Sequence, residues 1–174
     1  GDTLSITIVG GSVFVDGNRI APGFEGADGY LYTMDDVLVP AFGDVGEELG
    51  PLGCITMGEL MFSAGLGDEL LRSDGPLTLF APDDAAFGGL PDSSAERLQT
   101  DETWRTQLLT YHIVPGKITT DQLEDGMILD TLAGVSLTVR IVGDVITIDG
   151  NQILLKNAQA TNGVVHVLAG VLQP

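Results

Sequence analysis

The chain of 174 residues holds one cysteine, Cys54, which excludes an internal disulfide. Cys54 lies in an apolar stretch that reads as helical, and a buried thiol and an intermolecular disulfide are both open to it. Basic residues are scarce as well: 7 Lys and Arg stand against 25 Asp and Glu, a net charge of −18. A surface of that sign repels phosphates, so neither nucleic acid nor anionic lipid is expected as a partner. It suits cations, saline surroundings or plain solubility, and charge runs are usually solvent-facing. No apolar run approaches the ~18–20 residues of a spanning helix, so no transmembrane segment is expected. No signal peptide is visible. The start at Gly1-Asp2 fits the mature end of a processed, secreted protein. No Asn-x-Ser/Thr acceptor occurs.

Histidine is nearly as rare, with only His112 and His166. A hydrolase of the triad type needs a nucleophile, a base and an orienting group. Two histidines and one cysteine without close spacing supply neither that set nor a transition-metal site. The acid pairs Asp35-Asp36 and Asp83-Asp84 lack the spacing of a calcium loop, and capping with solvation accounts for them. The glycines are scattered and none precedes Lys-Ser/Thr, which excludes a phosphate-binding loop. The expectation is a protein that is not an enzyme and carries no cofactor or metal.

Glycine is abundant at 24 residues, hydrophobic residues make up 44% against 18% charged, and the mean hydropathy is +0.26. Either the core is large for the size or another molecule covers some apolar surface. The chain is organised around the stretch from Pro76 to Phe87. Leu77, Leu79 and Phe80 make a buried strand, and Pro82 ends it for want of an N–H. Asp83 or Asp84 can cap the helical turn that carries Ala85, Ala86 and Phe87.

That stretch resembles the first signature of fasciclin-like domains, T-x-F-A-P-x-x-x-A-F, through Thr78, Phe80, Ala81, Pro82, Ala86 and Phe87. The segment from Tyr111 and His112 to Gly116 resembles the family's tyrosine–histidine segment. Asn162, Gly163 and His166, with Val171 to Pro174, resemble its second signature. Together these motifs cover about residues 51–174. The resemblance implies an α+β fold, a β-sandwich or wedge with helices packed on one side, and an extracellular or cell-surface setting. It also implies a role in adhesion through protein–protein contacts. In animal members the tyrosine–histidine segment is implicated in receptor contact; here Tyr111 and His112 either play that part or build the core.

Alternation predicts strands at residues 3–9, 13–15, 19–20, 30–34 and 37–39, with a hairpin turn at Asp16-Gly17-Asn18. Further strands are expected at 135–142, 145–148, 152–155 and 164–168. Helices are expected from Ile55, with Thr56 as cap and Glu59 as its capping-box partner, and at 68–72, 95–99, 102–110 and 119–123. Residues 41–50 read as a linker or a poor helix.

Residues 4–20 and 137–153 align without gaps and share eight of seventeen residues, including Asp16-Gly17-Asn18 and Asp149-Gly150-Asn151. Beyond one length change, Gly29, Tyr32 and Pro40 align with Gly163, His166 and Pro174. This is an internal repeat. Residues 1–40 thus read as a β-rich half-domain that repeats the second half of the fasciclin-like domain at 51–174. Leu4, Ile6, Ile8, Val13 and Val15 are candidates for an assembly strand. Such a half-domain packs in cis, adds in trans to another protein or a second copy, giving a homo-oligomer or head-to-tail filament, or belongs to a truncated tandem domain.

Overall fold

The computed structural model describes residues 6–9, 12–15, 18–21, 23–26, 29–33, 43–67 and 75–174. The N-terminal residues form short antiparallel strands. β1 (Ile6–Val9), β2 (Ser12–Val15) and β3 (Asn18–Ile20) make one sheet in that order, and β4 (Phe24–Gly26) pairs with β5 (Gly29–Leu31). Ile6 stands opposite Val15, Ile8 opposite Val13, and Val13 opposite Ile20. These five apolar residues therefore share one face, as period-two alternation demands. Leu4, the turn residues Asp16-Gly17 and the strand expected at 37–39 lie outside the described residues.

Of the two readings of the 41–50 segment, a linker or a poor helix, its described part takes the short helix. Its acids cap a short helix, α1 (Val45–Glu48): Asp44 accepts from the N–H groups of Gly46 and Glu47, and Glu47 reaches back to Asp44. Val45, Glu48 and Leu49 are buried, and the Glu48 carboxylate accepts from Gly43 N–H at 2.9 Å. A helix this short owes its existence to packing, not propensity. The next helix, α2 (Ile55–Ser63), follows Cys54. Thr56 is not its cap: the Thr56 N–H donates to the Asp84 carboxylate at 2.7 Å, a partner 28 residues away. The helix expected at 68–72 lies outside the described residues.

Strand β6 (Leu77–Pro82) is buried along its whole length. It leads into α3 (Asp84–Gly88), α4 (Asp92–Thr100), α5 (Glu102–Tyr111) and β7 (Ile113–Pro115). Tyr111 closes α5 where an extended chain was expected, and α4 starts at Asp92, directly after Pro91. A 3₁₀ turn at Thr120–Gln122 precedes β8 (Ile128–Asp130), β9 (Ser136–Val142), β10 (Val145–Ile148), β11 (Asn151–Ala160) and β12 (Gly163–Leu168).

The sheet order is β7-β6-β12-β11-β10-β9-β8. Only β6 and β12 pair in parallel within it. β11 runs on to Ala160, well past the 152–155 that the alternation suggested, because two register shifts, between Ile153 and Leu155 and between Leu155 and Ala158, break its period. Bulges of this kind bend a strand, and here they let β11 serve both ends of the sheet. The ends approach each other, where Leu132 N–H donates to Ile113 O at 2.9 Å. The result is the α+β wedge that the motifs implied, curled toward a barrel.

Three cores follow. Helices α1, α2 and α5 cover β6, β12 and the far end of β11 through Val45, Met57, Met61, Leu79, Leu109 and Val165. Inside the curl, Phe80, Tyr111, Leu137, Val139, Ile148 and Ile153 pack together. Ala86, Leu98, Leu108 and Val171 join α3, α4 and α5 to the C-terminal segment.

Candidate functional site

The motif residues come together as fasteners of the interior. Thr78 is fully buried on β6; its hydroxyl donates to Gly116 O at 2.7 Å and accepts from Ile118 N–H at 2.9 Å, holding the loop after β7. Phe80 is buried and stacks on the His166 ring at 5.4 Å. Ala81 is buried, Pro82 ends β6, and Asp83 caps α3 by accepting from Ala86 N–H at 2.7 Å. Ala86 is buried and Phe87 partly so.

His112 caps the end of α5. Its Nδ1–H donates to Leu108 O at 2.8 Å, and its Nε2 accepts from Leu172 N–H at 3.0 Å. On β12, His166 is satisfied in the opposite sense: Nδ1 accepts from Asn157 N–H at 3.2 Å and Nε2–H donates to Ile118 O at 2.9 Å. Each ring needs one bare nitrogen, so both are neutral. Burial pushes both down from 6.5 to about 4. Tyr111 donates to Asp149 Oδ2 at 2.6 Å, and burial together with that carboxylate raises the phenol well above its usual range. Asp149 has φ 45 and Gly150 φ 82, the two positive values that a tight hairpin turn requires.

Asn162 and Gly163 join β12 to its neighbours. Asn162 Oδ1 accepts from Val45 N–H at 2.9 Å, seating α1. A Cβ at Gly163 would lie 2.0 Å from Leu77 O, so only glycine lets β6 approach. Asn157 was missed by sequence reasoning. It adopts φ 58 at the bulge of β11, and its amide both accepts from Thr120 N–H at 2.8 Å and donates to Thr120 Oγ1 at 2.7 Å.

Of the two readings of Cys54, the structure takes the buried thiol. The side chain has no exposure, and burial, then the charges of Asp84 and Asp83, pushes it up to about 12. The intermolecular disulfide has no accessible sulfur to form from. The receptor-contact reading of the tyrosine–histidine segment meets a similar barrier: Leu108, Leu109, Tyr111, His112, Ile113 and Val114 are all buried. Among the described residues, no group of three His, Cys, Asp or Glu could hold a metal ion.

Exposed apolar side chains lie elsewhere, among other places on the outer face of β8 to β11. Ile128, Val142, Val145 and Leu154 are exposed there. They occupy the phase opposite the buried Leu129, Val139, Ile146 and Ile153, which puts them outward. Val142, the most exposed of them at 77%, stands directly across the β9–β10 hairpin from Val145. Leu132 and Val135 add exposed side chains in the turn between β8 and β9. On a protein of net charge −18, this outward sheet face of valine, leucine and isoleucine contrasts with the acidic surface around it. The signal was in the sequence: Val142, Val145 and Leu154 fall in the polar phase of their strands.

The Fasciclin domain family model matches residues 53–174. Protein sll1483 of Synechocystis is 37% identical over 108 residues, 61% of this chain and 59% of its own length. Human periostin is 28% identical over 190 residues, 98% of this chain and 22% of its own length. The chain therefore spans less than two thirds of these relatives. In fold, it superposes on a FAS1 domain pair from the insect cell adhesion molecule Fasciclin I, with a TM-score of 0.66, 17% identity, and coverage of 98% of this chain and 67% of that one.

Proposed function

The chain belongs to the fasciclin domain family, and from that premise we propose that it is a non-enzymatic, extracellular adhesion or matrix-contact module that works through protein–protein contacts. The observation that carries this reading is the outward apolar face of β8 to β11, with Val142 and Val145 paired and exposed at its tip. The partner is another protein with a matching apolar patch and, given 25 acids against 7 bases here, a basic rim. Helix α1 packs into the same buried cluster as α2 and β6. No described helix is long and apolar enough to cross a membrane.

Beads coated with the chain test this. They should adhere to cells or matrix proteins, and a triple variant, Val142→Glu, Val145→Glu and Leu154→Glu, should lose that adhesion at least tenfold while unfolding at an unchanged urea concentration. Equal adhesion by the variant would reject this face as the contact.

A second reading, a subunit of an extracellular filament or surface layer, is favoured by the N-terminal strands. Ile6 and Ile8 are exposed on β1. Val15 is buried and Val13 and Ile20 are half-buried, so among the described candidates for an assembly strand those on β1 are the exposed ones. Light scattering on the intact chain decides: mass that grows with concentration supports the filament, and a monomer rejects it.

A further inference from the structure

We infer that the outward face of β8 to β11 takes an amphipathic helical segment of a partner protein, apolar along the row Val142, Val145 and Leu154 and cationic along the one flank that lies over β8. The inference rests on that face being the contact, and adds the chemistry of what it holds.

The register builds the row. Val142 stands across the hairpin from Val145. Thr147 pairs with Gln152, and one step further along the same face that register sets Leu154 beside Val145. Three neighbouring strands thus present three exposed apolar side chains side by side, over about 10 Å at two inter-strand spacings. About two turns of an amphipathic helix cover that span with side chains at i, i+4 and i+7. Behind this row comes a polar one, with Arg140 across from Thr147 and Thr147 across from Gln152.

Charge is divided unevenly about the row. Residues 131–174 hold two acids, Asp144 and Asp149, and two bases, Arg140 and Lys156, so the net charge of −18 lies wholly in residues 1–130. One stretch of that acidic part borders the face. Residues 118–139 carry Asp121, Glu124, Asp125 and Asp130 and no base. Asp125 is fixed against β9 next to Val142, where its carboxylate accepts from Ile141 N–H at 2.9 Å. Glu124, in the turn before β8, and Asp130, on β8, are exposed as well. Arg140 reaches Asp125 at 3.8 Å, but both side chains are more than half exposed, and so wetted a pair binds weakly. With four carboxylates to one guanidinium, the β8 flank stays anionic. At the opposite flank, residues 150–174 contain Lys156 and no acid. A helix with apolar side chains on one face and Lys or Arg along one flank complements both the row and its acidic border. Cations on its other flank would lie over β11 and gain nothing there.

The probe is a leucine–lysine amphipathic helix peptide, titrated into the full chain by calorimetry at low and at physiological salt, beside its leucine–glutamate counterpart. The lysine peptide should bind, weaken as salt rises and shift the amide resonances of β8 to β11, and the glutamate peptide should not bind. Val142→Ser, Val145→Ser and Leu154→Ser together should weaken binding on the order of tenfold with no change of charge. Glu124→Gln, Asp125→Asn and Asp130→Asn together should also weaken it on the order of tenfold. Asp92→Asn, Glu96→Gln and Glu102→Gln, which remove the same charge from α4 and α5, should change it by no more than about twofold. Unchanged urea midpoints certify each variant as folded. Equal weakening by the two acid variants would mean plain attraction to a chain of net charge −18 and would overturn the proposal. So would a lysine peptide that fails to bind, a glutamate peptide that binds as well, or binding that survives the three serines. Bead adhesion that is lost with the three serines while the two peptides are not told apart would leave the contact face standing and overturn this partner. A doubled mass of the chain alone, removed by the serines, would make a second copy the occupant and overturn it too.

Discussion

Acid should weaken this domain through its two histidines before its carboxylates act. His112 and His166 are fully buried, and each uses one ring nitrogen as a donor and the other as an acceptor. Protonation would place a second N–H against the amide of Leu172 or of Asn157, and would put a charge where water does not reach. Burial accordingly holds both near 4, below their ordinary 6.5. The unfolded chain binds protons near the ordinary value, so between pH 6.5 and 4 it binds more than the folded chain does. Stability is therefore complete above pH 6.5 and falls as pH drops toward 4. At 1.36 kcal/mol for each pH unit of the gap, the loss is about 3 kcal/mol per ring, about 6 kcal/mol together, against a total stability on the order of 5–15 kcal/mol for a domain. Two backgrounds run beside it. Asp84 and Asp101 are held below the usual carboxylate range by backbone hydrogen bonds to Thr56 and Trp104, and what they contribute is lost only as pH falls through those lower values. Discharging a net charge of −18 relieves repulsion and acts with the opposite sign. The reading is therefore a difference. Urea unfolding, followed by Trp104 fluorescence, is measured from pH 7.5 to 4 in the wild type and in His112→Gln/His166→Gln. The wild type should lose several kcal/mol more than the double variant, each single variant should lose an intermediate amount, and imidazole proton resonances should not titrate above pH 5. Parallel curves for wild type and double variant would refute the reasoning.

Other substitutions read out the same fasteners. Gly163→Ala should destabilise by about 3 kcal/mol, the upper end for overpacking, because the new Cβ meets the Leu77 carbonyl and backbone cannot rotate away; urea midpoints measure it, and a loss under 1 kcal/mol would show that β6 can shift. Asn157→Ala should cost about 1–2 kcal/mol more than Asn157→Gly, since both lose the Thr120 bonds but only alanine is strained at φ 58; equal losses in thermal melts would deny the strain. Cys54 should resist a thiol-specific reagent in the native chain and react at once in urea, and rapid native labelling would contradict its burial.

How much of this was legible depended on whether a signal was local. The strand Leu77–Pro82, its stop at Pro82 and the cap at Asp83 were readable because proline chemistry and Asx capping act within a few residues. The turn at Asp149-Gly150 was readable for the same reason. What escaped notice is held by distant partners. Thr56 and Glu59 spell a capping box, yet the Thr56 amide goes to Asp84. Residues 43–50 have linker composition, yet Asn162, 117 residues away from Val45, anchors them as a helix. The second half of β11 was lost to alternation because its two bulges reset the period, and Asn157, the residue that makes one of them possible, looks in sequence like any polar strand residue.

The same division explains why the motifs identify the fold better than they identify a partner. Thr78, Phe80, Tyr111, His112, Gly163 and His166 form a pattern because each is bound to a fixed geometry: two hydrogen bonds on one hydroxyl, a ring stack, a bare ring nitrogen, a strand too close for a Cβ. Such requirements leave little choice of residue, so they are visible in a single sequence. They are also all met inside the molecule, so they leave nothing for another molecule to touch. Val142, Val145 and Leu154 answer to no internal geometry, and on an outward strand face any residue of suitable shape would fold as well. Apolar side chains at positions where the fold is indifferent are explained by what lies beyond the fold, and on this chain that argument points to the outer face of β8 to β11 and to Ile6, Ile8 and Leu31.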